Sequence, residues 1–258
     1  MRIGKLRPSA TAPLALPRQE LGEGVFAAFT RRTGGVSGPP FESLNLGLGV
    51  GDDPESVLAN RTALARSCGL LPDDLAWMSQ VHGTSVCYLD AKTPQPPDPV
   101  DAIFTDVPGR ALCVLVADCL PVLIADPAAR IIGAAHAGRE GMVAGVVPAL
   151  IAAMAAAGAC PARMRALTGP AICGSCYEVP PELQERVGAA VPQARCQTLD
   201  GTAGVDIPAG VRAQLADAGV GRIGSVPLCT KESADLFSYR RDGKTGRSAG
   251  LIWLAARQ

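Results

Sequence analysis

A chain of 258 residues suits one large domain or two small ones, and a 48% hydrophobic fraction supports a sizeable core. Aromatics are only 4%, so Ala, Val and Leu must build that core. With 24 basic and 24 acidic residues, zero net charge and no basic run, a nucleic-acid surface is excluded as the main function.

The N-terminal segment carries Arg2, Lys5 and Arg7, but Pro8, Pro13 and Pro17 interrupt any apolar stretch, so it reads as no signal peptide. Residues 1–20 are expected to be an irregular lead-in and residues 21–258 one domain. Nine scattered cysteines then read as reduced thiols of a cytoplasmic protein. Residues 24–30 read as a strand and 32–40, rich in Gly and Pro, as a loop. Asp53 before Pro54 is an N-cap followed by proline at the first helical position, predicting a helix through about residue 67. Val57, Leu58, Arg61 and Leu64 share a face of it. Residues 77–81 and 85–89 read as strands around His82-Gly83-Thr84. Residues 94–99 form a surface loop leading into Asp101–Thr105.

The middle of the chain is the most informative stretch. Residues 111–117 are an apolar run ending at Asp118-Cys119, which 122–125 continue; after Asp126-Pro127, residues 131–135 run up to His136. Such runs between turn signals read as strands buried on both faces. Residues 141–157 predict a core helix, too short and too interrupted by Gly145 and Pro148 for a membrane span. Strands are expected at 163–167, 223–228 and 251–254, and helices at 181–191 and 208–218. The sum is one α/β domain with mixed strand directions and flanking helices.

Four groups of residues carry candidate chemistry. His82 and His136 are the only histidines, and with Cys119 they make three N/S donors beside glycine-rich loops. Three such ligands suit Zn²⁺ with an open fourth position, although a lone histidine or cysteine is more often ordinary core. Cys173-Gly174-Ser175-Cys176 is a CxxC, but with no second CxxC it reads as two loop thiols rather than a zinc ribbon. Arg240, Arg241, Lys244 and Arg247 form either a solvated turn or an anion pocket, with Phe237 and Tyr239 offering ring faces; Arg61 is a similar inward-facing candidate. Asp118 either acts as a base beside Cys119 or caps a turn.

Taken in order, several pieces resemble a known family. They are Arg31–Ser37 as Arg-Arg-Thr-Gly-Gly-Val-Ser, Ser43-Leu44-Asn45-Leu46-Gly47, Asn60-Arg61, Gln80-Val81-His82-Gly83, Asp101-Ala102 with Thr105, and Ala117-Asp118-Cys119-Leu120-Pro121-Val122. His136-Ala137-Gly138, Gly169-Pro170-Ala171-Ile172 with Tyr177-Glu178-Val179, and Cys229-Thr230 with Phe237-Ser238-Tyr239-Arg240-Arg241 through Thr245-Gly246-Arg247 complete the set. This is similar to the laccase-domain family, long described as multicopper polyphenol oxidases and now read as zinc-dependent purine nucleoside phosphorylases that also deaminate adenosine. The resemblance implies an α/β sandwich similar to Cys/His deamidases and zinc on His82, Cys119 and His136; the catalytic candidates read from the residues are Cys119 and His136, as thiol and base, and Asp118 as a proton shuttle. The resemblance further implies substrate contacts from Asn45, Arg61, Arg240, Arg241 and Arg247. Where the family reads His-Ala-Gly-Trp-Arg-Gly, this chain has Arg139-Glu140 in place of Trp-Arg.

The expected substrates are purine nucleosides (adenosine, inosine, guanosine, methylthioadenosine) and phosphate, for a monomer or homodimer with no nucleic-acid or membrane partner. Three other readings compete: a Cys–His amidase editing peptidoglycan precursors, a phenol oxidase with Cu²⁺ as the alternative ion, and a nucleoside-binding protein whose catalysis has lapsed with the Arg139-Glu140 change. A true multicopper laccase needs more imidazoles than two histidines supply.

Overall fold

The computed structural model describes Leu14 and residues 16–255. In chain order the strands and helices are β1 (Arg18–Gly22), β2 (Val25–Phe29), α1 (Pro54–Cys68), β3 (Leu75–Trp77), β4 (Val86–Tyr88), β5 (Ala102–Thr105), β6 (Ala111–Val116), β7 (Leu120–Asp126) and β8 (Ile131–Ala137). There follow α2 (Arg139–Ala144), α3 (Val146–Ala156), β9 (Arg165–Thr168), α4 (Pro181–Ala190), β10 (Arg195–Gln197), β11 (Ala203–Val205), α5 (Ile207–Asp217), β12 (Arg222–Ser225), α6 (Tyr239–Asp242) and β13 (Ser248–Leu254).

Two mixed sheets lie face to face. One has the order β1-β2-β13-β6-β3 and the other β12-β9-β7-β8-β5-β4, with β10-β11 a separate ribbon. Alternation along the strands explains the layering. In β7, Leu123 and Ala125 pack between the sheets with Leu112, Val114 and Ile252, whereas Leu120, Val122 and Ile124 face the opposite way. Period-two alternation with both faces apolar is what a strand covered on both sides requires. The outer face of the six-stranded sheet is covered by α3 and α5 through Leu150, Met154, Val211 and Leu215. The outer face of the five-stranded sheet is covered by α1 through Leu64, Ala65 and Cys68 against Leu251 and Trp253. The result is an α/β sandwich of four layers. No helix among the described residues is long and apolar enough to cross a membrane.

Several expectations change. The run read as one strand with a continuation, 111–125, is two strands in different sheets. It breaks at Asp118, whose φ of 90° turns the chain out of β6 and into β7. Hydrophobic periodicity reports burial on both faces but not which sheet holds a strand. The helix expected over 141–157 starts at Arg139 and breaks at Gly145, whose φ of 90° caps α2. The strand expected at 77–81 contributes only Trp77. In α1, Leu58 is 53% exposed while Asn60 is buried, because Asn60 hydrogen-bonds Ser37 and the carbonyls of Ser43 and Asn45. Part of the expected irregular lead-in is β1; residues 1–13 and 15 lie outside the described residues.

At the β7–β8 turn, buried Asp126 accepts bonds from the backbone N–H groups of Ala128, Ala129 and Cys160 and from the Arg163 guanidinium at 2.8 Å. Burial alone would raise its pKa, but these donors outweigh it and hold the carboxyl below its ordinary value. Its stabilisation is therefore complete above the unfolded carboxylate pKa of about 4 and is lost as pH falls towards the folded value. Asp126→Asn should cost about 2 kcal/mol at neutral pH and flatten the acid limb of the stability profile. Urea titrations from pH 7 to pH 3 read this; an unchanged acid limb would show that Asp126 does not carry it.

Candidate active site

The site is assembled where the ends of both sheets meet. His136 lies near the end of β8, Cys119 sits immediately before β7, and His82 rides on the loop that leaves β3. Their ligand atoms all lie within 4.8 Å of one another, and the two imidazoles meet edge-on with centroids 4.8 Å apart. A Cβ at Gly138 would fall 2.4 Å from His82 Nδ1 and 3.2 Å from Cys119 Sγ, so only glycine leaves room for the set.

One residue that sequence reasoning did not assign to the site organises it. Asp101 is fully buried just before β5. Its carboxylate accepts from His136 Nδ1 at 2.8 Å and from the backbone N–H groups of Val81, His82 and Gly83 at 3.1, 3.0 and 2.7 Å. The His136 N–H also donates to the Asp101 carbonyl at 2.8 Å. Three adjacent N–H groups converging on one carboxylate explain why His82 adopts a left-handed φ of 61°. The same carboxylate fixes the Nδ1–H tautomer of His136 and leaves Nε2 for a ligand. Gln80 continues the loop's attachment: its amide pairs with both the N–H and the carbonyl of Leu115 on β6. Burial lowers the pKa of His136, but Asp101 and Cys119 overcome it and raise the value to about 9. His82 goes the other way, lowered by burial and by His136.

His82 and Cys119 border two adjoining cavities. The larger, about 730 Å³, is lined by Gly47–Val50 backbone, Arg61, Trp77, Gln80, His136, Tyr239 and Arg247. The smaller, about 270 Å³, is lined by Asp118, Arg139, Glu140, Tyr177, Tyr239 and Arg240. Arg61 stacks 3.9 Å over Trp77 and gives Nε to the Leu46 carbonyl, while Arg247 donates to the carbonyls of Thr245 and Gly246. Burial lowers the pKa of both. Among the described residues neither has a carboxylate partner within salt-bridge distance, so two half-buried cations face one cleft. Arg240 stacks on Tyr177 in the smaller cavity. Arg139 and Glu140 pair with each other on its wall.

Three residues expected at the site, Arg241, Asn45 and Asp118, have their polar groups bonded to the protein itself. Arg241 donates to the carbonyls of Thr230, Lys231, Ser233 and Leu236 and forks onto Asp242, and it lines neither cavity. Asn45 is buried, with its amide on Asp52 and Gly47 and its carbonyl oxygen accepting from the Gly47 and Arg247 N–H groups. Asp118 reaches the smaller cavity, but Thr230 Oγ1 and the Arg240 N–H each bind one of its oxygens at 2.6 Å. Its carboxylate thus caps the first turn of α6. Phe237 is fully buried, so of the two rings expected to face a ligand only Tyr239 does.

The fold and site define a class: an α/β sandwich with a His–Cys–His centre between an arginine-lined cleft and a smaller aromatic pocket. Residues 26–255 match the family model described as multi-copper polyphenol oxidoreductase laccase, and the chain belongs to that family. It is 55% identical to a purine nucleoside phosphorylase of Streptomyces coelicolor, over 90% of this chain and 96% of that one. It is 41% identical to a purine nucleoside phosphorylase of Deinococcus radiodurans, over 90% of each chain. Among solved structures it superposes on YlmD from Geobacillus stearothermophilus with a TM-score of 0.86 and 30% identity, covering 96% of this chain and 100% of that one. A Neisseria meningitidis protein gives 0.83 and 36%, covering 93% and 99%.

Because the chain has two histidines, each imidazole can be followed separately by NMR. In metal-free protein His136 should titrate near 9 and His82 below the ordinary imidazole value. Asp101→Asn should bring His136 down while the fold persists. A His136 titration unmoved by Asp101→Asn would remove Asp101 from its assigned role.

Proposed function

We propose that this protein is a purine nucleoside phosphorylase that uses zinc and that also deaminates adenosine, acting in the cytoplasm on adenosine, inosine, guanosine and methylthioadenosine. The observation that carries phosphorolysis is the pair of guanidinium groups, Arg61 and Arg247, half-buried in one cleft without a carboxylate partner. Such groups bind phosphate through paired N–H donors, and removal from water strengthens the attraction. A cleft of about 730 Å³ is of the size that takes a nucleoside with its phosphate. The names of the relatives support the same substrate class.

The donors His82, Cys119 and His136 fit zinc: two imidazoles and a thiolate converge, one imidazole is backed by a carboxylate, and three protein ligands leave a position open. Zinc held there supplies a Lewis acid that polarises an oxygen or nitrogen bound to it. The chain's residues do the rest. Arg61 and Arg247 hold phosphate so that one of its oxygens approaches the ribose C1′ in line with the breaking bond to the base. The departing base takes the bonding electron pair and needs a proton. Tyr239, which borders both cavities, is assigned to give that proton from its hydroxyl, with solvent restoring it. For deamination, water adds to C6 of adenine and ammonia leaves; Glu140, on the wall of the smaller cavity with one oxygen paired to Arg139, is assigned to carry the proton from the water to the departing ammonia, since both oxygens of Asp118 already hold a donor.

A second reading has its own support. Cys119, His136 and Asp101 run in the order thiol, imidazole, carboxylate, which is the arrangement of a thiol nucleophile in amide hydrolysis. Zinc on the thiolate removes that nucleophile, so the two readings are separable.

Purified protein given inosine and phosphate should yield hypoxanthine and ribose 1-phosphate, and Cys119→Ala should abolish this. Absence of ribose 1-phosphate from zinc-loaded protein would sink the phosphorylase reading. Arg61→Ala and Arg247→Ala should each raise KM for phosphate about tenfold or more, with a smaller change in KM for inosine. Equal effects on both substrates would mean that these arginines do not form the phosphate site.

A further inference from the structure

The CxxC that reads as two loop thiols has a partner that sequence spacing conceals. Cys229-Thr230-Lys231-Glu232 is a CxxE of the same spacing, and the fold lays it against Cys173-Gly174-Ser175-Cys176. The sulfurs of Cys173, Cys176 and Cys229 and a carboxylate oxygen of Glu232 all lie within 4.8 Å of one another. A parallel bridge between Ala171 and Cys229 aligns the two loops, with Thr230 N–H on the Ala171 carbonyl at 3.1 Å. Both loops make the same turn. Tyr177 N–H closes onto the Cys173 carbonyl and Ser233 N–H onto the Cys229 carbonyl, each at 3.0 Å. Two matched turns therefore direct the first and fourth side chains of each towards one point. The Cys173 N–H donates to Cys229 Sγ at 3.5 Å, and Cys176 Sγ meets Glu232 Oε1 at 3.3 Å.

We propose that Cys173, Cys176, Cys229 and Glu232 form a second metal site, distinct from the His82–Cys119–His136 centre, that holds one Zn²⁺ in a closed, tetrahedral, structural coordination. A zinc–sulfur distance of about 2.3 Å puts tetrahedral sulfurs about 3.8 Å apart, which the clustering of these atoms accommodates. Four protein ligands leave no open position, as structural rather than catalytic zinc requires. Cys176 is buried and Glu232 exposed, so the ion enters from the Glu232 side. Without a cation, burial and mutual crowding push the Cys173 and Cys176 thiols up and keep them protonated; binding releases those protons to solvent. Arg241 does not cap the sulfurs, since its donors brace the carbonyls of Thr230, Lys231 and Ser233.

The site would lock together the two loops that set Cys119. Ile172 N–H binds the Asp118 carbonyl at 2.9 Å and Thr230 Oγ1 binds its carboxylate, and Asp118 immediately precedes Cys119. Zinc here thus stabilises the frame of the catalytic centre without touching substrate.

The test separates the two centres. His82→Ala/Cys119→Ala protein, reconstituted with Zn²⁺ and desalted, should retain about one zinc per chain. Adding Cys173→Ser and Cys176→Ser should remove it. Co²⁺ in the first variant should give thiolate-to-cobalt charge-transfer absorption. If the added serines prevent folding, wild-type protein gives the answer: Cys173 and Cys229 should resist alkylation until zinc is chelated, whereas Cys87 and Cys160 react throughout. A zinc-free His82→Ala/Cys119→Ala protein, alkylation indifferent to zinc, or a Cys173–Cys176 disulfide in freshly purified protein would each overturn the proposal.

Discussion

The site depends on one buried carboxylate. Asp101 stands at the start of β5 in the six-stranded sheet, yet three of its four side-chain hydrogen bonds come from a loop that leaves the five-stranded sheet. The fourth comes from His136. A buried carboxylate left without donors costs several kcal/mol, so the folded state has strong reason to bring that loop in. A left-handed φ at His82, which on its own costs about 1–3 kcal/mol, is sustained by those bonds. Bringing the loop in places His82 against His136. The placing of the two imidazoles thus follows from satisfying one charge.

The third member of the centre is set by a different constraint. Cys119 follows the residue at which the chain passes from one sheet to the other, Asp118, whose backbone is left-handed. Its oxygens meet Thr230 and the start of α6, and its carbonyl meets Ile172. Two loops far apart in sequence therefore hold Cys119 through Asp118, and Arg241 braces one of them. This explains why Asp118, Arg241 and Asn45, all close to the site, have few free valences for a substrate. Their donors and acceptors are already used in positioning the residues that do face the cavities.

How much of this was legible in the sequence follows from what each signal reports. Apolar runs located nearly every long strand, and the Asp53-Pro54 pair placed the start of α1 within one residue. His82, Cys119 and His136 stood out because imidazoles are scarce in this chain and the surrounding motifs resemble a family. The break at Asp118 was not legible, because a run buried on both faces looks the same in one sheet or two. Asp101 was hidden by being an ordinary acid at a strand start; its role exists only once β5 and β8 pair. The arginines were legible as a group but not individually, since composition does not say whether a guanidinium meets carbonyls, as in Arg241, or an open cleft, as in Arg61 and Arg247. The CxxC lacked its partner for the same reason: Cys229 lies more than fifty residues on, and only the folded chain, through the Ala171 bridge and the contacts beside it, brings them together.

The family's description as a multi-copper oxidase and its relatives' names as phosphorylases pull in different directions, and the inventory of side chains decides between them. Reduction of oxygen at several coppers needs many imidazoles, and this chain has two, both in one candidate ligand group with Cys119. Oxidation of phenols also gives no use to cations withdrawn from water. Arg61 and Arg247 remain half-buried without a carboxylate among the described residues, an arrangement whose desolvation cost is offset when an anion binds between them. A phosphate ion is such an anion, in keeping with the phosphorylase names of the relatives, whereas electron transfer at several coppers asks for imidazoles that this chain lacks.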